Sequence, residues 1–453
     1  MSGADRQKLL DDAARRHGVP GGVLAILDQG KLSVVTTGVL SVDTGEAVRP
    51  DSLFQIGSIT KVLTATLLMT QVDRGRVELD SPIRTYLPDF RTADIEAVKA
   101  ITVRQLLCHT SGLDGDFFTD TGNGPGRLLR FLDRCALLPQ LFDPGTDFSY
   151  SNVAYNVAGR IVETVTGMDF DTALKRLLFE PLGLKQSVVD PYDMPGRSLA
   201  AGHVPDPDSS GGSKQLETLF TLAVSSSPAG ATTMMSAADL VAFAQMHLTA
   251  GQNAAAEAVL SPTAVAAMQD EQVRIPVPSR GLDAWGLGWF FQDVDGCALI
   301  GHDGATVGQN AYLRVDRKSG SVGVLFANGG SANDFFLDVF RESYDPLVGC
   351  PSPQAPPVAA SSPDDLGPYA GVYRNIVGDT RVEVKDGTLV KSSAINFDDT
   401  VIEQPEVTMD YIGDDSFSWR LPNQVFPGTT SFRMESGKAQ SLFSGLRWHH
   451  RVE

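Results

Sequence analysis

Cysteine, basic charge and long apolar runs are all scarce in this sequence, and each shortage removes a class of function. Only four cysteines, Cys108, Cys135, Cys297 and Cys350, occur in 453 residues. Their spacing fits neither a metal site nor a redox motif, so they read as reduced structural thiols. Cys108 precedes His109, but neighbours in sequence rarely face each other, and no cysteine nucleophile is read there. No stretch approaches the ~20 apolar residues of a membrane-spanning helix. The first twenty residues mix charge with alanine around no apolar centre, which predicts an amphipathic helix over Asp5–His17, no signal peptide and a cytoplasmic protein. The formal net charge of −18 argues against nucleic acid and anionic membrane as partners. There is no Gly-x-Ser-x-Gly elbow of an α/β-hydrolase, no His/Cys cluster with zinc spacing and no internal repeat. Neither a metal nor a cofactor is expected.

What is present is a globular composition, 42% hydrophobic, over a length that suits two or three domains. The organising stretch is Gly57-Ser58-Ile59-Thr60-Lys61 and the uncharged run Val62–Val72 that follows. That run is apolar in every direction of a helical wheel, which predicts a buried helix. Ser58 and Lys61, three residues apart, share one face of it. A serine at a helix N-terminus sits among unpaired N–H groups that favour negative charge. A buried amine beside it, kept partly neutral, makes an activated nucleophile. Taken alone the pattern also fits an N-cap serine and a surface lysine.

A hairpin is predicted from Gly21–Leu27 and Lys31–Thr37 around Gln29-Gly30. Helices are expected over Arg127–Leu138, from Asn152 to about Thr166, over Ser236–His247 and over Asn333–Tyr344. Pro, Gly, Ser and Asp dominate Asp190–Ser227, which reads as a long surface loop. Strands are expected at Trp285–Phe291, Cys297–Gly301, Asn310–Val315 and Ser321–Ala327. The order gives an α+β class: an antiparallel sheet drawn from both ends of residues 1–349, with a helical insert. Residues 350–363 have the composition of a linker. Residues 364–453 hold seven or eight short alternating runs, the last at Gln440–Leu446, which predict a small antiparallel barrel.

Two further clusters complete a serine acyl-transfer site. In Tyr150-Ser151-Asn152 the phenol, its pKa depressed by nearby cations, can carry the serine proton. The Asn152 amide can bond both Lys61 and a substrate carbonyl. Gly301-His302-Asp303-Gly304-Ala305 leaves an apolar strand, with His302 at the strand end facing the cleft as a donor. Gly301 and Gly304, on both sides, let a substrate backbone lie close along this strand edge, and Gly304 and Gly230 are candidates for substrate binding. The Ser58 and Ala305 N–H groups can form an oxyanion hole.

Ser58-Ile-Thr-Lys61, Tyr150-Ser-Asn152 and His302-Asp-Gly304 resemble the three motifs of the penicillin-recognising serine hydrolases. Leu106–Leu113, Asp143-Pro-Gly145 and Pro228-Ala-Gly230 extend the resemblance, which covers about residues 10–345. The Tyr-x-Asn form is similar to class C β-lactamases, family VIII esterases and D-aminopeptidases, and the tail resembles the lipocalin-like module of some members. The third motif begins with His where β-lactamases and cell-wall peptidases usually place a cation, which puts those activities in doubt. Lys318-Ser319-Gly320 offers a lysine, but it reads as a hairpin turn. The resemblance leaves open a small-ester carboxylesterase, a D-amino-acid amidase or aminopeptidase, and a penicillin-binding-protein-type thioesterase. The last is the first choice. It would take a peptidyl or small acyl thioester, with a synthetase carrier domain as partner, and close a nonribosomal peptide into a macrolactam. Arg447, in Gly445-Leu-Arg-Trp448, is a candidate for a substrate carbonyl or carboxylate contact. A non-catalytic penicillin-fold binding protein is the competing class.

Overall fold

The structure is a computed structural model; it describes residues 1–453 apart from 190–195, 207, 209–211, 221, 280, 352, 398–399, 422–423 and 425. Its main sheet holds β1 (Gly21–Asp28), β2 (Lys31–Gly38), β3 (Val273–Ser279), β4 (Leu282–Trp285), β5 (Phe290–Val294), β6 (Cys297–Thr306), β7 (Gln309–Asp316) and β8 (Ser321–Ala327). The order is β2-β1-β8-β7-β6-β5-β4-β3, antiparallel throughout. Both ends of the first domain therefore build one sheet, as the chain order predicts.

The strand period of two sorts the core. Val23, Ala25 and Leu27 of β1 face the helical insert, whose central members are α2 (Thr60–Asp73), α3 (Asn152–Thr166) and α4 (Ala237–Leu248). A terminal helix α1 (Gly3–Arg16) and α5 (Ala332–Ser343) pack on the other face, against Leu24 and Ile26. Helix α2 is buried at every position from Thr60 to Gln71, as its missing charges require. No described helix is long and apolar enough to cross a membrane.

Several expectations are corrected. Trp285–Phe291 is not one strand: β4 and β5 are separated by Gly286–Trp289. There Gly288 (φ +90°) packs so close to α2 that a β-carbon would fall 2.9 Å from the Ala65 Cβ. The preceding β3 went unread because Pro276 and Pro278 interrupt it; proline is tolerated there because β3 is the sheet edge. Within the expected loop Asp190–Ser227, part of which lies outside the described residues, His203–Pro205 pairs with Ser213–Gln215, and Val224–Ala229 forms a 3-10 turn. The cysteines are not all free. Cys297, at the start of β6, is disulfide-bonded to Cys350 with a Cα separation of 5.4 Å, and Cys108 and Cys135 are buried thiols. The chain leaving α5 carries Cys350 back onto the start of β6, a meeting of residues 53 positions apart that spacing motifs do not reveal.

The C-terminal segment closes into an eight-stranded antiparallel barrel: β9 (Gly371–Asn375), β10 (Gly378–Lys385), β11 (Thr388–Phe397), β12 (Thr400–Gly413), β13 (Ser416–Trp419), β14 (Gly428–Glu435), β15 (Lys438–Ser444) and β16 (Arg447–Arg451). The last predicted run stops short of β16. A turn at Gly445-Leu446 (φ +57° and +69°) divides the segment, and leucine at positive φ is no turn signal. The barrel packs Phe443 and Trp448 against Phe148, Tyr150 and Trp285, so its contact with the main domain runs through the predicted site.

Candidate active site

Ser58 lies in a single 3-10 turn, Gly57–Ile59, that feeds directly into α2. Three backbones meet at this turn because three glycines lack a β-carbon. One added at Gly304 would fall 1.8 Å from Ile56 O, one at Gly230 would fall 2.2 Å from Gly57 O, and one at Gly57 would fall 2.5 Å from Ala305 N. The Ser58 and Ala305 amides thus sit on adjoining segments, and both residues line the main cavity together with Gly230 and Gly304.

Lys61 is wholly buried. Its Nζ donates to Ala229 O at 2.7 Å and lies 3.0 Å from Ser58 Oγ. Burial, then the positive charge of Arg447, hold its pKa well below the usual lysine value. Among the described residues no carboxylate bonds it, so the surroundings favour the neutral form of the amine that faces the serine hydroxyl. The Tyr150 phenol lies close enough to Ser58 for the serine side chain to favour its ionised form, and the Lys61 Nζ stands 4.8 Å from its ring centre. The expected depression of the phenol is corrected: burial pushes the Tyr150 pKa up, and Ser58 and Arg447 only partly offset this. Lys61 is therefore the better proton acceptor, and Tyr150 is a proton-bearing partner.

Asn152 opens α3 and lines the cavity. The expected bond to Lys61 is not made; Asn152 Nδ2 donates instead to Asp116 Oδ1 at 2.6 Å. A carboxylate is the stronger acceptor for an amide. Asp116 also accepts from Arg447 Nη2 at 3.0 Å.

His302 stands in mid-strand, since β6 continues to Thr306. The expectation of a strand-end donor is corrected. Its Nδ1 lies 2.7 Å from Asp303 O, which can only accept, so Nδ1 carries the proton and Nε2 is a bare acceptor, buried without a partner among the described residues. Burial, with Lys61 nearby, lowers its pKa to about 3, so it is neutral. Nor is β6 a sheet edge: β5 and β7 flank it. Pairing with β5 ends at Gly301, however, so Asp303–Thr306 runs past Phe290, the first residue of β5, toward the cavity.

Three residues at the site were not singled out in the sequence. His109, at φ +61°, stacks under Tyr150 at 4.3 Å and accepts the Ser151 N–H at 3.0 Å. Trp285 packs edge-on against His109 and His302. Asp116 joins Asn152 to Arg447. The Asp114-Gly115-Asp116 run directly after Leu106–Leu113 was the available signal. Arg447 places its guanidinium carbon 4.8 Å from the Tyr150 ring centre, and the Leu446 carbonyl accepts the Tyr150 N–H at 2.9 Å. Lys318 and Ser319 do occupy the β7–β8 turn, with both amides donating to Asp316.

A hydroxyl 3.0 Å from a buried amine, beside a phenol and with the Ser58 and Ala305 amides on adjoining segments, is chemically competent for serine acyl transfer. The β-lactamase family model matches residues 6–342. The chain is 41% identical over 370 residues to penicillin-binding protein 4 of Amycolatopsis lactamdurans, covering 81% of this chain and 96% of the relative. The crystal structure of SurE superposes with a TM-score of 0.80 at 31% identity over 99% of both chains, and SurE has also been solved with D-Leu. D-amino acid amidase from Ochrobactrum anthropi, complexed with L-phenylalanine amide, superposes with a TM-score of 0.63 at 26% identity, over 76% of this chain and 97% of the amidase. The chain belongs to the β-lactamase family of penicillin-recognising serine hydrolases.

Proposed function

We propose that this chain is a penicillin-binding-protein-type thioesterase that takes a peptidyl group from a carrier-bound thioester onto Ser58 and releases it as a head-to-tail macrolactam. The observation that carries the reading is the contact of Lys61 with Ser58 at 3.0 Å in a cavity whose other wall is the C-terminal barrel. Lys61 takes the hydroxyl proton as Ser58 Oγ bonds the thioester carbon. The oxyanion rests on the Ser58 and Ala305 N–H groups. The C–S bond breaks, and the thiolate leaves with a proton from Tyr150, which Lys61 then restores. The peptide's own amine attacks the acyl-enzyme, loses its proton to Lys61 through Tyr150, and Ser58 departs with that proton. Ring closure competes with water only if the amine is held nearby, at high effective molarity. Arg447, at the cavity wall beside Tyr150, is suited to hold a carbonyl or carboxylate of the substrate.

The SurE complex with D-Leu and the likeness to a D-amino acid amidase support a D-configured residue at the acyl carbon. That amidase likeness also favours a second reading, hydrolysis of D-amino-acid amides. The test is a linear peptidyl thioester offered alongside a p-nitrophenyl ester and a D-amino-acid amide. A cyclic product supports the cyclase; hydrolysis of all three with no ring removes it and leaves the amidase or esterase.

A further inference from the structure

The cavity that holds Ser58 has a volume of about 590 Å³ and reaches beyond Arg447 to Trp419, Gly428 and Thr429 on the barrel. Trp419 is fixed in place there. Its indole N–H donates to Thr430 Oγ1 at 3.0 Å, the Thr430 hydroxyl donates to Ser444 Oγ at 3.1 Å, and Lys391 Nζ donates to the same oxygen at 3.1 Å. Lys391 is buried in the barrel, with Nζ only 3.5 Å from the Trp419 ring centre, a cation–π contact. Opposite Trp419 on β14 is Gly428, where a β-carbon would fall 2.4 Å from the indole. A polar chain from the barrel interior thus orients a large aromatic side chain that remains only partly buried and lines the acyl cavity. The chain ends at Ser444, which pairs with Arg447 across the turn, so Trp419 and Arg447 share one support.

We propose that Trp419 is the distal wall of the acyl site, a platform for an aromatic or large apolar side chain of the peptidyl group. This rests on the thioesterase reading above. Trp419 faces Gly428 and Ser444 faces Arg447 across the strands, so the platform takes a side chain that precedes the carbonyl reacting at Ser58 along an extended peptide.

The test uses pairs of linear peptidyl N-acetylcysteamine thioesters that differ only by phenylalanine or glycine at one position, scanned over about two to five residues before the reacting carbonyl. The full-length enzyme is expected to favour phenylalanine in kcat/KM by about three- to tenfold, the range of an aromatic pair. Trp419→Ala brings the ratio close to one, and Trp419→Phe restores most of it, which separates lost contact from a misfolded barrel. A ratio unchanged in Trp419→Ala overturns the subsite. If the wild type turns over a p-nitrophenyl ester but neither thioester, the peptidyl reading falls and takes the subsite with it.

Discussion

Arg447 and Asp116 form an ion pair that joins the barrel to the catalytic domain directly over the Tyr150 ring. The pair does two electrostatic jobs. It ties Asn152 to the same carboxylate, and its Arg447 charge lowers the Lys61 pKa by more than Asp116 raises it.

Replacing Arg447 by alanine removes that charge, so the Lys61 pKa rises and more of the amine is protonated at neutral pH. Activity needs the neutral amine, so the acid limb of the kcat/KM profile moves to higher pH. At pH 7 the rate should fall about tenfold or more, and Arg447→Lys should return part of it. The ratio of cyclic to linear product should also fall; an unchanged ratio removes Arg447 from substrate holding.

Gly304→Ala inserts a methyl group where Ile56 O stands, 1.8 Å away. Backbone cannot yield as a side chain tip can, so β6 must withdraw from the Ser58 turn and carry Ala305 with it. Loss of one oxyanion donor costs about 10²- to 10³-fold in kcat. Stopped-flow acylation of a p-nitrophenyl ester reads this directly, and a value within threefold of wild type contradicts the assigned oxyanion hole.

Three histidines, the buried His247 and His302 and the half-buried His449, have pKa values lowered to about 3, chiefly by loss of solvent. Unfolded, they would bind protons from about pH 6.5 downward, so stability is full above that pH and drains as pH falls toward 3. Asp114, raised to about 6 chiefly by burial, runs the other way and favours the fold below 3.8, losing that effect as pH rises through 6. The histidines outnumber it, and the melting temperature should drop by roughly 5 °C or more between pH 7 and pH 4. His247→Phe, whose ring suits the neighbours Phe243 and Trp289, should flatten the slope.

The Cys297–Cys350 disulfide ties the sheet to the start of the segment leading to the barrel. Thiol titration of the denatured, unreduced protein should find two free thiols, Cys108 and Cys135, and four after reduction. Reduction should lower stability by about 2–4 kcal/mol.

The α+β class, the sheet built from both chain ends and the C-terminal barrel were legible in the sequence because each rests on a local period. Uncharged Val62–Val72 marks burial by itself, and alternating runs separated by turn residues mark the barrel strands. What was not legible depends on distance. Lys61 donates to Ala229, Asn152 turns to Asp116, and Cys297 meets Cys350, all through contacts that no local pattern encodes. The direction of the Tyr150 pKa was misjudged because cations were counted while burial, the larger effect, cannot be seen along a chain. The His302 tautomer was likewise set by the carbonyl that its own strand presents.

The most direct measurement is labelling with a fluorophosphonate probe, followed by peptide mapping of the adduct. The account predicts one adduct, on Ser58, formed rapidly by wild type, slowed about 10³-fold or more in Lys61→Met and absent in Ser58→Ala. An adduct that persists in Ser58→Ala, or no adduct on the wild type, would contradict it.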